Sequence, residues 1–345
     1  MTVAFYRKYR PKSFKEVLGQ ESIVNALSGS IDRDSISHAY LFIGPRGTGK
    51  TSIARIFARE IGTSEKDIYE LDAASNTGVD DIREITDGAR TLPFESKRKV
   101  YIIDEVHMLS KGAFNAFLKT LEEPPAHSMF ILATTEAHKV PDTVASRCQS
   151  FTFKKPSNEI LKKAIERVAK GEEMIIDKSS ADLLALLGDG SFRDTIGLFE
   201  QVSNISKDKN ITIEDIESIT GSPRGEVIHS LIREILEKNL EASLLSLRKI
   251  ATKNLDMKIF LKMLLRDIRL VMLLKFAPEM EKEILSEVSD DEVKIFKELK
   301  THKNIAILPQ ALKELIYAHH ELGHGSIPEL PIELALIRLL SINEK

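Results

Sequence analysis

The residues of clearest chemical meaning are Gly44, Pro45, Arg46, Gly47, Thr48, Gly49, Lys50 and Thr51, which follow the spacing G-x-x-x-x-G-K-T. Glycines at these places let the backbone fold tightly enough for several N–H groups to converge on phosphate oxygens. Lys50 is long enough to reach β- and γ-phosphates, and the Thr51 hydroxyl can bind Mg²⁺. An apolar run of strand type, Tyr40–Ile43, precedes the turn. Helix-spaced apolar residues follow it over Thr51–Ile61, with Ser52 in the first turn. The positive end of that helix points at the same anion.

A second chemical cluster lies at the end of "YIIDEVH", where an apolar strand delivers two adjacent carboxylates. Asp104 suits Mg²⁺, and Glu105 suits polarising an attacking water; two solvated acids capping a strand are the plainer alternative. "FILATTE" ends in Thr134 and Thr135, hydroxyls that either sense a γ-phosphate, orient the water, or serve only as β-branched strand residues. "SRC" puts Arg147 just before the last strand, as a surface arginine or one seeking a partner. "GSFRD" opens a helix with Ser191 as its N-cap and Arg193 in its first turn. A cation there opposes the helix dipole and needs an anion, either Asp194 or a ligand.

These groups have to be held by a regular scaffold. After the first strand come "DIYELDA" (67–73), "KVYIIDE" (99–105), "MFILATT" (129–135) and "SFTF" (150–153), with helical patterns between them, clearest at "GAFNAFLKTLEE". Continuous apolar strands separated by helices predict an α/β domain: a five-stranded parallel sheet with helices on both faces, over residues 1–153. From Lys154 the strand signal stops. A small helical domain is expected over 154–220, then a linker at "TGSPRGE" and a helical C-terminal domain over 221–345.

Composition narrows the function classes. A net charge of −3 over 345 residues excludes a uniformly basic nucleic-acid binder, so any such contact is a local patch. The run Arg7, Lys8, Arg10, Lys12 and Lys15 is one such patch, or a solvated face. One cysteine, Cys148, excludes a disulfide framework and suits a reducing compartment. The most apolar later stretch is broken by Lys262, Arg266, Asp267 and Arg269, so no membrane span is expected and the cytoplasm is the expected compartment.

"YRPKSFKEVLGQ", "HAYLFIGPRGTGKTSIAR", "LDAASNTGVDDIRE", "YIIDEVHMLSKGAFNAFLKTLEEPP", "FILATTEAHKVPDTVASRCQSF" and "GDGSFRDTI" closely resemble the gamma/tau ATPase subunits of the bacterial DNA polymerase III clamp loader. These are AAA+ proteins, related to the small subunits of replication factor C. The resemblance is dense from residue 4 to about 200; beyond that it extends only to helical character. It implies an ATPase whose loop from Gly44 to Ser52 cradles ATP. Lys50 and Thr51 would hold the phosphates and Mg²⁺, Asp104 the Mg²⁺, and Glu105 the nucleophilic water. Thr135 aligns with the family's first sensor and Arg193 with the second. Arg147 aligns with the arginine finger that completes a neighbouring subunit's site. Tyr6 and Arg10 fall where the N-terminal segment embraces the nucleotide, and Arg83 where DNA phosphate is met.

The same resemblance implies a helical lid, a C-terminal oligomerisation collar, and a nucleoid-associated hetero-oligomer. Its partners would be other clamp-loader subunits, the sliding clamp and primer–template DNA, with single-strand DNA-binding protein and polymerase reached through other subunits. DNA would be recognised through phosphates and duplex shape. Two departures stand out. The family's four-cysteine zinc module has no counterpart between Ile61 and Ile68, so no zinc is expected. The sequence ends at "RLLSINEK", as expected of a short, gamma-like form or a piece of a longer protein. Two rival functions share the motifs: an AAA+ branch-migration or helicase-like DNA motor, and a non-catalytic scaffold subunit of a clamp loader.

Overall fold

A computed structural model describes residues 3–206, 208–252, 255–286, 288, 290–323 and 327–341; the final four residues of the sequence lie outside that set. In chain order the elements are α1 (Phe5–Lys8), α2 (Glu21–Asp32), β1 (Ala39–Ile43), α3 (Lys50–Glu60), β2 (Ile68–Asp72) and α4 (Val79–Arg90). There follow β3 (Lys99–Asp104), α5 (Lys111–Glu122), β4 (Ser128–Thr134), α6 (Asp142–Ala145), β5 (Gln149–Thr152) and α7 (Asn158–Gly171). Next come β6 (Ile175–Ile176), α8 (Lys178–Leu187), α9 (Phe192–Ser203), β7 (Asn210–Ile211) and α10 (Ile213–Thr220). The remainder comprises α11 (Gly225–Leu236), α12 (Leu240–Thr252), α13 (Met257–Phe276), α14 (Glu281–Ser286), α15 (Asp290–Leu299), α16 (Leu308–Glu321) and α17 (Leu330–Ser341).

These elements group into two units, Met1–Val168 with Gly188–Glu200, and Ala169–Leu187 with Gln201–Lys345. The span 154–220 is therefore shared between them.

In the first unit the strands form one sheet in the order β2-β3-β4-β1-β5, with every pairing parallel. Successive side chains of a strand point to opposite faces, and the central strands are apolar on both. Ala39, Leu41, Tyr101, Ile103, Phe130 and Leu132 pack with Ile82, Phe114, Phe117 and Val144 of α4, α5 and α6. Their neighbours Tyr40, Phe42, Val100, Ile102, Met129 and Ile131 pack with Leu27, Ile53 and Phe57 of α2 and α3. All seven residues of β4 are buried, as befits the centre of a covered sheet. The edge strands β2 and β5 carry Glu70, Asp72, Gln149 and Thr152 at exposed or half-exposed positions.

This division of faces matters for function. The crossover from β1 uses α3 on one face, while that from β4 to β5 uses α6 on the other. Adjacent strands whose connections leave on opposite faces open a crevice at their carboxyl ends. Gly44, Asp104 and Thr135 all lie at those ends.

The second unit is helical around a core that includes Leu231, Ile235, Phe260, Leu264, Ile268, Phe296, Leu308, Leu315 and Leu336, all fully or nearly fully buried. Asp256 caps α13 by accepting from the N–H groups of Lys258 and Ile259 at 2.8 and 3.0 Å. Gly221, with φ of 65°, ends α10 in the left-handed conformation glycine favours. One feature differs from the sequence expectation: β6 and β7 form a two-stranded parallel sheet beyond Lys154. Each strand has two residues, too few for any alternation to show in the sequence.

Candidate active site

Gly49 has φ of 100° and forms the N-cap of α3, so Lys50 is the helix's first residue. Gly47 has φ of 75°, and a Cβ on it would stand 1.9 Å from Ser191 Oγ. The loop thus fits only because that side chain is missing. It is tied to the start of α9 as well, since the Phe192 N–H donates to the Gly47 carbonyl at 3.0 Å. Thr48 Oγ1 donates to the Pro45 carbonyl at 2.9 Å and tightens the turn.

Lys50 is 5% exposed, and its Nζ donates to the carbonyls of Gly44 at 2.6 Å and Pro45 at 3.0 Å. Burial pushes its ammonium below the ordinary lysine value, against the opposing pull of Glu105 and Asp104. Thr51 Oγ1 donates to Asp104 Oδ2 at 2.7 Å. Two hard oxygen donors side by side, one from the first turn of α3 and one from the end of β3, fit Mg²⁺, which prefers hard oxygen ligands.

Glu105 has φ of 49° and ψ of 44°, an uncommon left-handed conformation for a residue with a side chain. Its Oε2 accepts from the Thr135 N–H at 3.3 Å and from Thr135 Oγ1 at 3.1 Å. The structure thereby separates the two threonines. Thr134 is fully buried, and its Oγ1 accepts from the Glu136 N–H at 3.0 Å and lies 3.0 Å from His107 Nδ1. His107 and Glu136 were not singled out in the sequence, because a lone histidine after a strand carries no spacing signal. Yet the ring lies within 3.4 Å of Glu105 Oε2 and 3.3 Å of Glu136 Oε1.

A cleft joins the phosphate loop to the N-terminal segment and α9. Arg46 to Ser52, Asp104 and Glu105 line it, together with Tyr6, Arg10 and Arg193. The Arg193 guanidinium lies 5.7 Å from the centre of the Tyr6 ring, a cation–π distance. Ser191 Oγ accepts from the Asp194 N–H at 3.2 Å, the N-cap bond expected of it. Burial, with the guanidiniums of Arg55, Arg193 and Arg7 nearby, holds Arg10 below the ordinary arginine value although Glu70 pulls the other way. Cations crowded in this way favour a polyanionic ligand.

Of the expected residues, Gly44, Pro45, Thr135, Arg147 and Arg83 do not line the cleft. Arg147 Nη2 pairs with Glu122 Oε1 at 2.6 Å, and its Nη1 donates to the Thr143 carbonyl at 2.6 Å. Arg83 is exposed on α4 and pairs with Asp80 at 2.9 Å. Among the described residues no cluster of histidine, cysteine or carboxylate side chains is arranged to hold a metal by itself, and no helix is long and apolar enough to cross a membrane.

Residues 19–76 and 63–157 match the family described as DNA polymerase III, delta subunit, and residues 211–345 match that described as DNA polymerase III subunits gamma and tau domain III. The chain is 36% identical to DNA polymerase III subunit gamma of Buchnera aphidicola subsp. Schizaphis graminum, over 92% of this chain and 94% of that one. It belongs to the gamma/tau family of DNA polymerase III subunits.

The gamma/tau likeness extends to the tau subunit of Bacillus subtilis, 38% identical over 97% of this chain; the chain spans 63% of that relative's length. Among solved structures, the Thermotoga maritima RuvB Holliday junction branch migration motor aligns with a TM-score of 0.54 and 25% identity, over 66% of this chain and 80% of that one. The five-stranded parallel sheet with its helices is that of an AAA+ domain, as the motifs implied, and the C-terminal part is helical.

Proposed function

We propose that this chain is the ATP-hydrolysing motor subunit of a DNA polymerase III clamp loader, opening the sliding clamp and placing it on primed DNA. The observation that carries the proposal is the 2.7 Å contact of Thr51 with Asp104, formed beside a buried Lys50 and a held Glu105. Bound Mg²⁺ would neutralise charge on the phosphate oxygens. The residues of the chain do the rest. Lys50 and the loop N–H groups grip the phosphates, while Arg193 balances charge on the same side of the cleft. Glu105, oriented by Thr135, polarises the water that attacks the γ-phosphate, giving ADP and inorganic phosphate. Tyr6 and Arg10 close over the nucleotide. Arg147 serves the site of a neighbouring subunit, so turnover requires assembly.

On this proposal residues 154–220 act as a lid and 221–345 as a collar joining subunits; no zinc is needed. DNA is gripped through phosphates, with Arg83 among the contacts, so affinity falls steeply with salt. The assay is steady-state ATP hydrolysis by the assembled loader, with and without primed DNA and the cognate clamp. Turnover is expected to be slow alone and to rise when both are added; indifference to both overturns the proposal.

The likeness to RuvB favours a second reading, a DNA-translocating motor. Stimulation by DNA that the clamp leaves unchanged supports that alternative. The gamma and tau match over 211–345 favours the clamp loader.

A further inference from the structure

His107 lies just beyond β3, and its side chain is 6% exposed. Nδ1 is 3.0 Å from Thr134 Oγ1 and 3.4 Å from Glu105 Oε2; Nε2 is 3.3 Å from Glu136 Oε1. A buried ring with one nitrogen beside Thr134 Oγ1 and Glu105 and the other beside Glu136 is held by contacts at both nitrogens, which fixes its plane. Glu136 is in turn fixed. Its N–H donates to Thr134 Oγ1, and its carboxylate pairs with Lys139 at 2.9 Å and approaches His138 at 3.7 Å. Glu105, by contrast, sits on a left-handed backbone, and its carboxylate has neighbours on two sides, Thr135 and His107.

We propose that His107 is a positioning residue for hydrolysis: clamped by Glu136, it sets where the Glu105 carboxylate rests and hence whether that carboxylate meets the attacking water. The inference rests on the proposal that this cleft hydrolyses ATP. The polar neighbours of His107 described above are Thr134, Glu105 and Glu136, on the water-orienting side of the site, so its removal is expected to act on the water-orienting step and to leave nucleotide capture alone. A side chain that orients a reacting group without touching substrate shows its loss in kcat, with KM preserved.

The experiment compares wild type, His107→Ala, His107→Gln and Glu136→Gln in the assembled loader with primed DNA and clamp. It measures kcat and KM for ATP, and the affinity of each variant for a fluorescent ATP analogue. His107→Ala is expected to lower kcat on the order of tenfold, the size usual when an orienting partner of a reactive group is lost, with KM and analogue affinity unchanged. His107→Gln, which keeps an N–H donor within reach, is expected to recover much of the loss. Glu136→Gln changes one half-exposed group, leaves the core untouched, and is expected to lower kcat in the same direction. Unchanged kcat in both His107→Ala and Glu136→Gln overturns the inference. So does a fall in analogue affinity that matches the fall in rate, which marks general damage to the cleft. A wild-type loader with no DNA- and clamp-dependent turnover overturns the underlying function itself.

Discussion

Arg147 and Glu122 meet at 2.6 Å, tying the segment just after the short helix α6 to the end of α5. The Thr143 carbonyl takes the other guanidinium nitrogen, so the side chain is aimed by two acceptors while staying one-third exposed. A partly solvated pair of this kind is worth about 0–1 kcal/mol. Stability therefore does not explain such ordering well; presentation to a second protomer, as proposed above, would. Arg147→Ala is expected to leave the melting temperature and ATP affinity of the isolated chain nearly unchanged. In the assembled loader it is expected to abolish turnover. Normal turnover there, measured by phosphate release, removes the role in trans.

Gly47→Ala tests the loop. The added methyl would fall 1.9 Å from Ser191 Oγ at a backbone φ of 75°, and a non-glycine residue held in such a conformation costs roughly 1–3 kcal/mol. Relief requires either the loop or the start of α9 to move, and both line the cleft. ATP affinity, read by isothermal titration, is expected to drop at least about tenfold, since 1.4 kcal/mol is a tenfold change. Full affinity would mean that the fit between Gly47 and Ser191 is not needed for binding.

Much of this was legible in the sequence because the central strands are buried on both faces. "YLFI", "VYII" and "FILAT" have no polar interruption, and each ends where a chemical group begins. The glycines spoke for themselves, since their spacing is a backbone requirement. What could not be read was pairing across the chain. Thr134 and Thr135 are indistinguishable as β-branched neighbours until the sheet sends one inward to His107 and the other to Glu105. Arg193 had two possible anions in the sequence, and only the fold sets it beside the Tyr6 ring over the cleft. Arg147 had no visible partner, because Glu122 lies 25 residues earlier. The strands β6 and β7 were too short to leave a pattern.

Cys148 offers a simple check on the packing behind the sheet. Burial pushes its thiol up to about 12, so at pH 8 only about one molecule in 10⁴ carries the reactive thiolate. Alkylation by iodoacetamide is expected to be slower by orders of magnitude in the native protein than after denaturation in guanidinium. Equal rates in the two states would show that the segment between α6 and β5 does not shelter the thiol.

Asp67 carries the clearest prediction about acid stability. It is fully buried, and its carboxylate accepts from the N–H groups of Phe94, Glu95 and Ser96 at 2.5, 2.8 and 2.8 Å, which shapes the turn between α4 and β3. Burial alone would raise its pKa, but the three N–H groups outweigh that, and the carboxyl is held below its ordinary value of 3.8. A group whose pKa is depressed by folding contributes stability that is complete above the unfolded pKa and is lost as pH falls through the folded one. Wild type should therefore keep this contribution at pH 7 and shed it only below about pH 4. Asp67→Asn leaves an amide facing three donors with one acceptor oxygen, and is expected to cost about 1–3 kcal/mol at pH 7. The gap between variant and wild type should narrow as pH falls below 4, because the wild-type carboxyl then becomes neutral too. Urea titrations at pH 7 and pH 3 measure it, and a gap that is constant or wider at pH 3 contradicts the assignment.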